Sequence, residues 1–200
     1  MAEHCDSQRG CALGNAWWLP GEGQTLADIM FVGEAPREGE SRGEGVFVTR
    51  LRELLHRLNV SRYFVTDAVK CPAPELAYRS RREPTVQQRV TCQMWLAQEI
   101  ANVSPKMIVP LGATAAWAVV RALGGPQKEA RTLAGFERQF GPQAVLKGIY
   151  VCPLTHPSRI EVNRLESWLA DGVKRLRTPV AGLCFRPSSG GNPPAGTPSD

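Results

Sequence analysis

The chain has 200 residues, of which 42% are hydrophobic and 22% charged, a composition typical of one ordinary globular domain or two small ones. This composition excludes disorder along the whole chain. A membrane-spanning helix requires about 20 apolar residues, and no apolar run approaches that length. Lys and Arg number 24 against 19 Asp and Glu, a net charge of +5, which favours a polyanionic partner and, more weakly, an acidic lipid surface.

The first 23 residues contain Cys5, Cys11, two adjacent tryptophans and a Pro20-Gly21 turn. Turn-forming residues without an apolar period predict an irregular arm rather than a packed element. No basic start leads into an apolar run, so we expect a cytoplasmic protein.

Four short runs rich in Val, Ile and Phe have the character of buried strands. They cover residues 28–33, 62–69, 106–111 and 148–154, and apolar residues at helical spacing cover 48–58, 85–101, 113–123 and 164–176. Strands that alternate with helices predict an α/β protein, in which a parallel sheet is covered on both faces. Pro, Gly and Ser accumulate toward the end, so we expect a folded domain at 1–178 and a disordered tail at 179–200.

Chemically capable residues follow the predicted strands, and ligands of parallel α/β sheets bind beyond the carboxyl ends of the strands. The first strand ends in a turn at 33–36, and a glycine-rich loop at 37–45 then leads to Phe47. The second strand ends near Asp67, and the fourth is followed by His156. Taken alone, Phe47 is typical of a core residue, and a histidine before a proline is typical of an ordinary loop. Together with an acid and a glycine turn, however, they predict a ligand site at this edge.

Several segments carry a resemblance to a known family. They are, in chain order, ADIMFVGEAP at 27–36, Glu40, Phe47, VKC at 69–71, Cys92, PKMIVPLGA at 105–113 with Ala115-Ala116, and THPS at 155–158. Each segment alone is a weak indication, but their order and spacing together are specific. From about Cys5 to Leu176 the chain resembles the iron-sulfur uracil-DNA glycosylases of prokaryotes, family 4 of the uracil-DNA glycosylase superfamily.

This resemblance implies a three-layer α/β/α sandwich around a central four-stranded parallel sheet, in agreement with the four predicted strands. It also implies a DNA repair enzyme, a DNA N-glycosylase that flips a deaminated base, uracil before others, out of the DNA and hydrolyses its N-glycosidic bond. The product is an abasic site. The expected partner is single- or double-stranded DNA with a damaged base, bound by a monomer that joins the nucleoid when it acts.

The resemblance also implies a pocket for the flipped base. The turn at 33–36 would present backbone donors to uracil O2, and Phe47 would stack on the base. The pocket residues expected on this basis are Gly33, Glu34, Ala35, Phe47 and Asp67.

The catalytic roles follow from the same resemblance. His156 would stabilise the leaving uracil anion and the oxocarbenium-like sugar, and preorganised donors of this kind contribute strongly at a transition state. Either Glu40 or Glu34 would orient the water, and the sequence does not choose between them. The segment Ser158, Arg159 and Ile160 would enter the minor groove and fill the vacated stack, for which arginines and apolar wedges are the usual side chains.

Four cysteines match the ligands of a 4Fe-4S cluster in this family. Cys71 and Cys92 correspond to its second pair. Cys11 resembles the second N-terminal ligand, and because Gln8 stands where the first is usual, Cys5 is the available substitute. Zinc on the same four thiolates, or no metal, are the alternatives. Outside this set, Cys152 is expected to be a small core residue and Cys184 lies in the predicted tail.

Asp67 departs from the family pattern, in which an Asn donates to uracil O4 and accepts from N3–H. An ionised carboxylate only accepts, and facing O4 with a lone pair costs about 1 to 3 kcal/mol. Either the carboxyl group is protonated when the base binds, since desolvation in a closed pocket raises a carboxyl pKa, or the base spectrum is altered. Arg37 also replaces a family Gly and is expected to lie along phosphate.

A basic run at 79–82 lies between two of the predicted cluster cysteines. Arg79, Arg81 and Arg82 either form a solvated loop or contact phosphate, and a nearby DNA site favours phosphate. The competing class is a glycosylase-fold DNA-binding protein with altered base specificity or without turnover. An acyl- or phosphoryl-transfer enzyme is disfavoured because neither a serine elbow nor a phosphate-loop motif occurs.

Overall fold

A computed structural model describes residues 18–36, 46–57, 59–72, 84–126, 132–141, 144–154 and 167. The helix predicted at 164–176 is described only at Ser167, which is helical. The tail predicted at 179–200 lies outside the described residues.

One mixed sheet of six strands forms the centre of the described structure. The strands, in chain order, are β1 (Glu22–Gly23), β2 (Ile29–Gly33), β3 (Tyr63–Asp67), β4 (Met107–Pro110), β5 (Ala144–Leu146) and β6 (Ile149–Val151). Their spatial order is β1-β3-β2-β4-β6-β5. The four inner strands pair in parallel, and β1 and β5 pair antiparallel at the two edges.

The helices are α1 (Val46–Arg57), α2 (Val86–Val103), α3 (Ala113–Ala122) and α4 (Leu133–Phe140). α2 begins at a capping box, because the Thr85 hydroxyl accepts from Gln88 N and the Gln88 side chain accepts from Thr85 N. It ends at Ser104, which has a left-handed φ of 50° and whose N–H donates to the Ile100 carbonyl. These caps fix the start and the end of the helix that carries Cys92.

The sheet is buried on both faces, which explains its continuous apolar strands. Met30 and Val32 of β2 pack toward a core that contains residues of α2, α3 and α4. Ile29 and Phe31, which alternate with them, face a second core with residues of α1. The molecule is therefore a three-layer α/β/α sandwich, as the sequence predicts.

The four predicted strands are the four parallel ones, whereas β1, β5 and α4 were not predicted. β1 has two residues and no apolar period to detect. The turn between β5 and β6 takes positive φ at Lys147 (51°) and Gly148 (79°). Tight hairpins of this kind usually carry Asn or Gly at the first position of the turn. Because Lys147 occupies that position, the sequence does not predict this hairpin.

The predicted irregular arm is wrong for its last residues. Glu22 and Gly23 pair with Val65 and Phe64 of β3. A Cβ on Gly21 would collide with the ring of Phe64, so the arm packs tightly on the sheet. In the described part of the chain, the helices lack the combined length and apolar character needed to cross a membrane.

Candidate active site at the carboxyl edge of the sheet

The carboxyl ends of β2 and β3 lie side by side and are joined by hydrogen bonds. Gly33 is the register partner of Asp67. Beyond the strands the pairing continues, because Ala68 N donates to Gly33 O at 2.9 Å and Val69 N donates to Glu34 O at 3.0 Å. The turn that carries Gly33 and Glu34 therefore lies directly against the segment that carries Asp67.

The Asp67 carboxylate lies over the backbone of Gly33. A Cβ at position 33 would collide with Asp67 Oδ1, so any other residue there would displace the carboxylate from this position. Asp67 is half-buried. The structure thus brings together two predicted pocket residues, Gly33 and Asp67, and places a carboxylate beside a half-buried turn of backbone.

The register of β3 places Thr66 and Asp67 on opposite faces of the sheet. Thr66 is buried, and its hydroxyl donates to Glu99 Oε2 of α2 at 2.7 Å. Because neighbouring strand residues point to opposite faces, Asp67 is directed to the face covered by α1. Asp67 and not Thr66 is therefore on the α1 face, and its role toward a base stays a prediction.

Phe47 lies in the first turn of α1, which begins two residues before the predicted start. α1 follows the loop after β2 and leads back to the start of β3, so its first turn lies toward the carboxyl edge. Glu34 and Ala35 are half-buried at that same edge, and Pro36 is buried. The side chain of Phe47 is outside the described structure, as are Arg37 and Glu40.

The described chain reaches the same edge at Leu154, just before the predicted segment 155–158. Leu154 forms a parallel bridge with Leu111. Leu154 N donates to Pro110 O at 2.8 Å, and Gly112 N donates to Leu154 O at 2.7 Å. The chain is thus held at the end of β4 one residue before Thr155. His156 and the DNA-contact residues proposed around it, Ser158, Arg159 and Ile160, lie outside the described residues, as do Arg79, Arg81 and Arg82.

A buried lysine next to Asp67 was not predicted as part of the site. The Lys70 side chain has no exposed surface, and its Nζ is 2.6 Å from Glu99 Oε2. Nζ also donates to the Asp67 carbonyl at 2.7 Å and to the Thr66 hydroxyl. The sequence marks Lys70 only as part of the VKC segment, and its ion-pair partner is 29 residues away.

The end of the N-terminal arm docks on the same network. Gly21 N donates to Glu99 Oε1 at 2.8 Å, and Leu19 N donates to Lys70 O at 2.8 Å. The Trp18 ring meets Trp95 of α2 edge-on, with ring centroids 5.8 Å apart. Residues 18–21 thus connect the end of β3 to α2.

Two predicted cluster ligands are near this junction. Cys71 follows Lys70 directly, and Cys92 lies two helical turns, about 10 Å, before Glu99 on α2. Both are buried thiols, as is Cys152, and no disulfide joins these three. Within the described ranges no three or more His, Cys, Asp or Glu side chains gather as a metal site. Cys5 and Cys11 lie outside those ranges.

Two cavities lie at the opposite, amino edge of the sheet. A cavity of about 190 Å³ and one of about 1020 Å³ share Arg52, Ser61 and Tyr63 in their walls. Tyr63 begins β3 and Asp67 ends it, a distance of about 13 Å. These cavities are therefore separate from the predicted site.

The fold and the edge geometry define a class: an α/β/α protein whose candidate site residues follow the ends of parallel strands. The family description that matches is "Uracil DNA glycosylase superfamily", over residues 20–177. The type-4 uracil-DNA glycosylase of Sulfurisphaera tokodaii is 30% identical over 167 residues, which are 80% of this chain and 73% of that protein.

Two further relatives carry the same description. The type-4 uracil-DNA glycosylase of Thermotoga maritima is 33% identical over 150 residues, 72% of this chain and 71% of the relative. That of Saccharolobus solfataricus is 34% identical over 119 residues, 54% of this chain and about half (53%) of the relative. The chain belongs to the uracil-DNA glycosylase superfamily. The predicted relationship to family 4, and with it the DNA N-glycosylase class, is confirmed.

Proposed function

We propose that this protein removes uracil from DNA: it flips the base out of the DNA and hydrolyses the N-glycosidic bond, leaving an abasic site. The substrate is single- or double-stranded DNA, and the protein acts as a monomer. Membership of the superfamily supports the reaction class. The single observation that carries the substrate assignment is the Asp67 carboxylate, held over Gly33 at the carboxyl edge.

Asp67 fits the Watson–Crick edge of uracil in one protonation state. A neutral carboxyl group has one O–H donor and one carbonyl acceptor, the same pair that an Asn amide offers. It then donates to uracil O4 and accepts from N3–H. The backbone of the turn at 33–36 lies beside it and supplies N–H donors for O2, while Phe47, in the first turn of α1, stacks on the base.

Bond cleavage needs stabilisation of charge that develops only as the bond breaks. In the proposed mechanism His156 provides it, by donating toward the uracil anion as the C1′–N1 bond lengthens and by standing beside the cationic sugar. The bridge at Leu154, two residues earlier, supports this role because it holds the chain at the right edge. Glu34 or Glu40 orients the water that attacks C1′.

DNA is held through its phosphates in this proposal. Arg37 follows the pocket turn, and Arg79, Arg81 and Arg82 lie between two cluster ligands in the chain. Contacts of this kind position DNA without selecting sequence. Ser158, Arg159 and Ile160 enter the minor groove and fill the space that the flipped base leaves.

We further propose a structural 4Fe-4S cluster on Cys5, Cys11, Cys71 and Cys92. The donor set fits, because Cys71 and Cys92 are buried thiols beside the point where the arm docks. Trp18 follows Cys11 by seven positions, a span of up to about 23 Å, which is enough to reach that region. Thiolate-bound iron would tie the arm to α2; zinc on the same thiolates is the alternative.

Purified protein is therefore expected to be brown, with broad absorbance at about 400 nm. Cys71→Ser should lower bound iron, whereas the matched variant Cys152→Ser, at a buried core cysteine, should retain it. Iron content and absorbance are measured on anaerobically prepared protein. Colourless protein with stoichiometric zinc would contradict the cluster.

A base-release panel tests the function itself. Oligonucleotides that contain uracil, hypoxanthine, xanthine or thymine, in single- and double-stranded form, are incubated with the protein, and abasic sites are cleaved and counted. We expect release of uracil in both forms. Specific binding of uracil-containing DNA without any release would instead identify a DNA-binding protein with a glycosylase fold.

A further inference from the structure

We propose that Lys70 is the positioning residue for Asp67: its buried ammonium group fixes the backbone at the end of β3, so that the Asp67 carboxyl group meets the base in the geometry required for cleavage. Lys70 does not touch the base in this proposal and acts only through Asp67. The inference deepens the proposed function and rests on it.

The donor capacity of Lys70 is fully used. An ammonium group has three N–H donors. They meet three acceptors: the Asp67 carbonyl at 2.7 Å, Glu99 Oε2 at 2.6 Å and the Thr66 hydroxyl. The side chain is fully buried, so water cannot replace a lost partner. Lys70 is therefore held in a single orientation.

This orientation fixes the backbone around Asp67 from both sides. The Thr66 hydroxyl is bonded to Glu99 as well as to Lys70. Ala68 N is bonded to the Gly33 carbonyl. Between these two anchors the Asp67 peptide carbonyl accepts from Lys70 Nζ. The Lys70 bond therefore restrains the peptide that follows Asp67, and with it the backbone from which the Asp67 side chain projects.

The Lys70–Glu99 pair is better suited to orientation than to stability. Replacing both members of a buried ion pair with neutral groups of similar shape is often nearly neutral for folding. Glu99 also accepts from Gly21 N, and a glutamine at position 99 retains an oxygen for that bond. A neutral pair should therefore fold but release the Asp67 carbonyl.

The experiment is a double-mutant cycle between the pair and Asp67. The variant Lys70→Met with Glu99→Gln is made in the native chain and in an Asp67→Ala background. Single-turnover release of uracil and affinity for uracil-containing DNA are measured at the acidic pH that the proposed function favours, with urea unfolding as a check of folding. The control is Lys106→Met, because Lys106 pairs with Asp28 at 2.9 Å at the amino edge and is 70% exposed.

We expect the neutral pair to lower the release rate about 10- to 100-fold in the native background, since small misplacements have effects of this size. DNA affinity should change less than about twofold. In the Asp67→Ala background the same change should alter the rate less than about twofold, because Lys70 acts only through Asp67. Lys106→Met should leave rate and affinity unchanged.

Equal losses in the two backgrounds would overturn the proposal, because a merely structural role does not depend on Asp67. So would an unchanged rate in the native background. If the neutral pair does not fold, Thr66→Val, which removes the hydroxyl that joins Lys70 and Glu99, enters the same cycle with the same criteria. A native protein that releases no base overturns the proposed function and this inference with it, whereas an active native protein with an additive cycle overturns the role of Lys70 alone.

Discussion

Ion pairs at the two edges of the sheet differ in their surroundings rather than in their chemistry. At the amino edge Asp28 pairs with Lys106 and Arg62, whose side chains are 70% and 53% exposed. Near the carboxyl edge the pair of Lys70 and Glu99 is almost closed to water. Exposed pairs contribute about 0–1 kcal/mol, whereas breaking a buried pair costs about 3–5 kcal/mol. Burial is therefore the reason that we assign the positioning role to Lys70 and not to Lys106.

The two edges also differ in that the cavities lie at one edge and the candidate site residues at the other. The cavity of about 1020 Å³ lies at the amino edge, among Arg52, His56 and neighbouring residues. The residues expected to bind a base follow the strands at the other edge. We therefore infer the position of the site from the direction of the parallel strands and not from the size of a cavity.

The largest expected contrast is between His156, which we propose acts at the carboxyl edge, and His56, which lies at the amino edge. His156→Ala should lower single-turnover uracil release by about 10²- to 10³-fold with little loss of DNA affinity, because its interaction forms only at the transition state. His56→Ala, at the amino-edge cavity, should leave both unchanged. Undiminished release by His156→Ala would refute its catalytic role.

Two lysines give the second contrast, measured as the free energy of unfolding in urea. Lys70→Met alone should destabilise the fold by about 3 kcal/mol, because it leaves Glu99 without its cation; Glu99 keeps 17% exposure, so the low end of the range applies. Lys106→Met should cost less than about 1 kcal/mol. Equal losses would show that burial does not separate the two edges.

Arginines give the smallest contrast, in the salt dependence of DNA binding. Replacing Arg81 and Arg82 by alanine should weaken binding about equally on any duplex and flatten the slope of log affinity against log salt by up to about two units. Replacing Arg57 and Arg62 at the amino edge should leave the slope as it is. An unchanged slope in the variant of Arg81 and Arg82 would indicate that residues 79–82 form a solvated loop and do not contact phosphate.

The parts of the structure that the sequence predicts are those with local patterns. The parallel strands follow from apolar runs, and Asp67 and Gly33 follow from their position at strand ends. The pairing of Lys70 with Glu99 has no local pattern, because it depends on how α2 packs against β3. The strand β1 is likewise held by its pairing with β3 and not by its own two residues.

The central claim is that the carboxyl edge recognises uracil through Asp67, and the pH dependence of uracil release by the native protein and by Asp67→Asn tests it most directly. The native protein should favour acidic pH, where the neutral carboxyl group donates to O4. Asp67→Asn should release uracil about tenfold faster near neutral pH, since its amide restores that donor, and should lose the acid preference. Asp28→Asn at the amino edge should behave as the native protein. Loss of activity in Asp67→Asn on every substrate, or a native profile without acid preference, would contradict the claim.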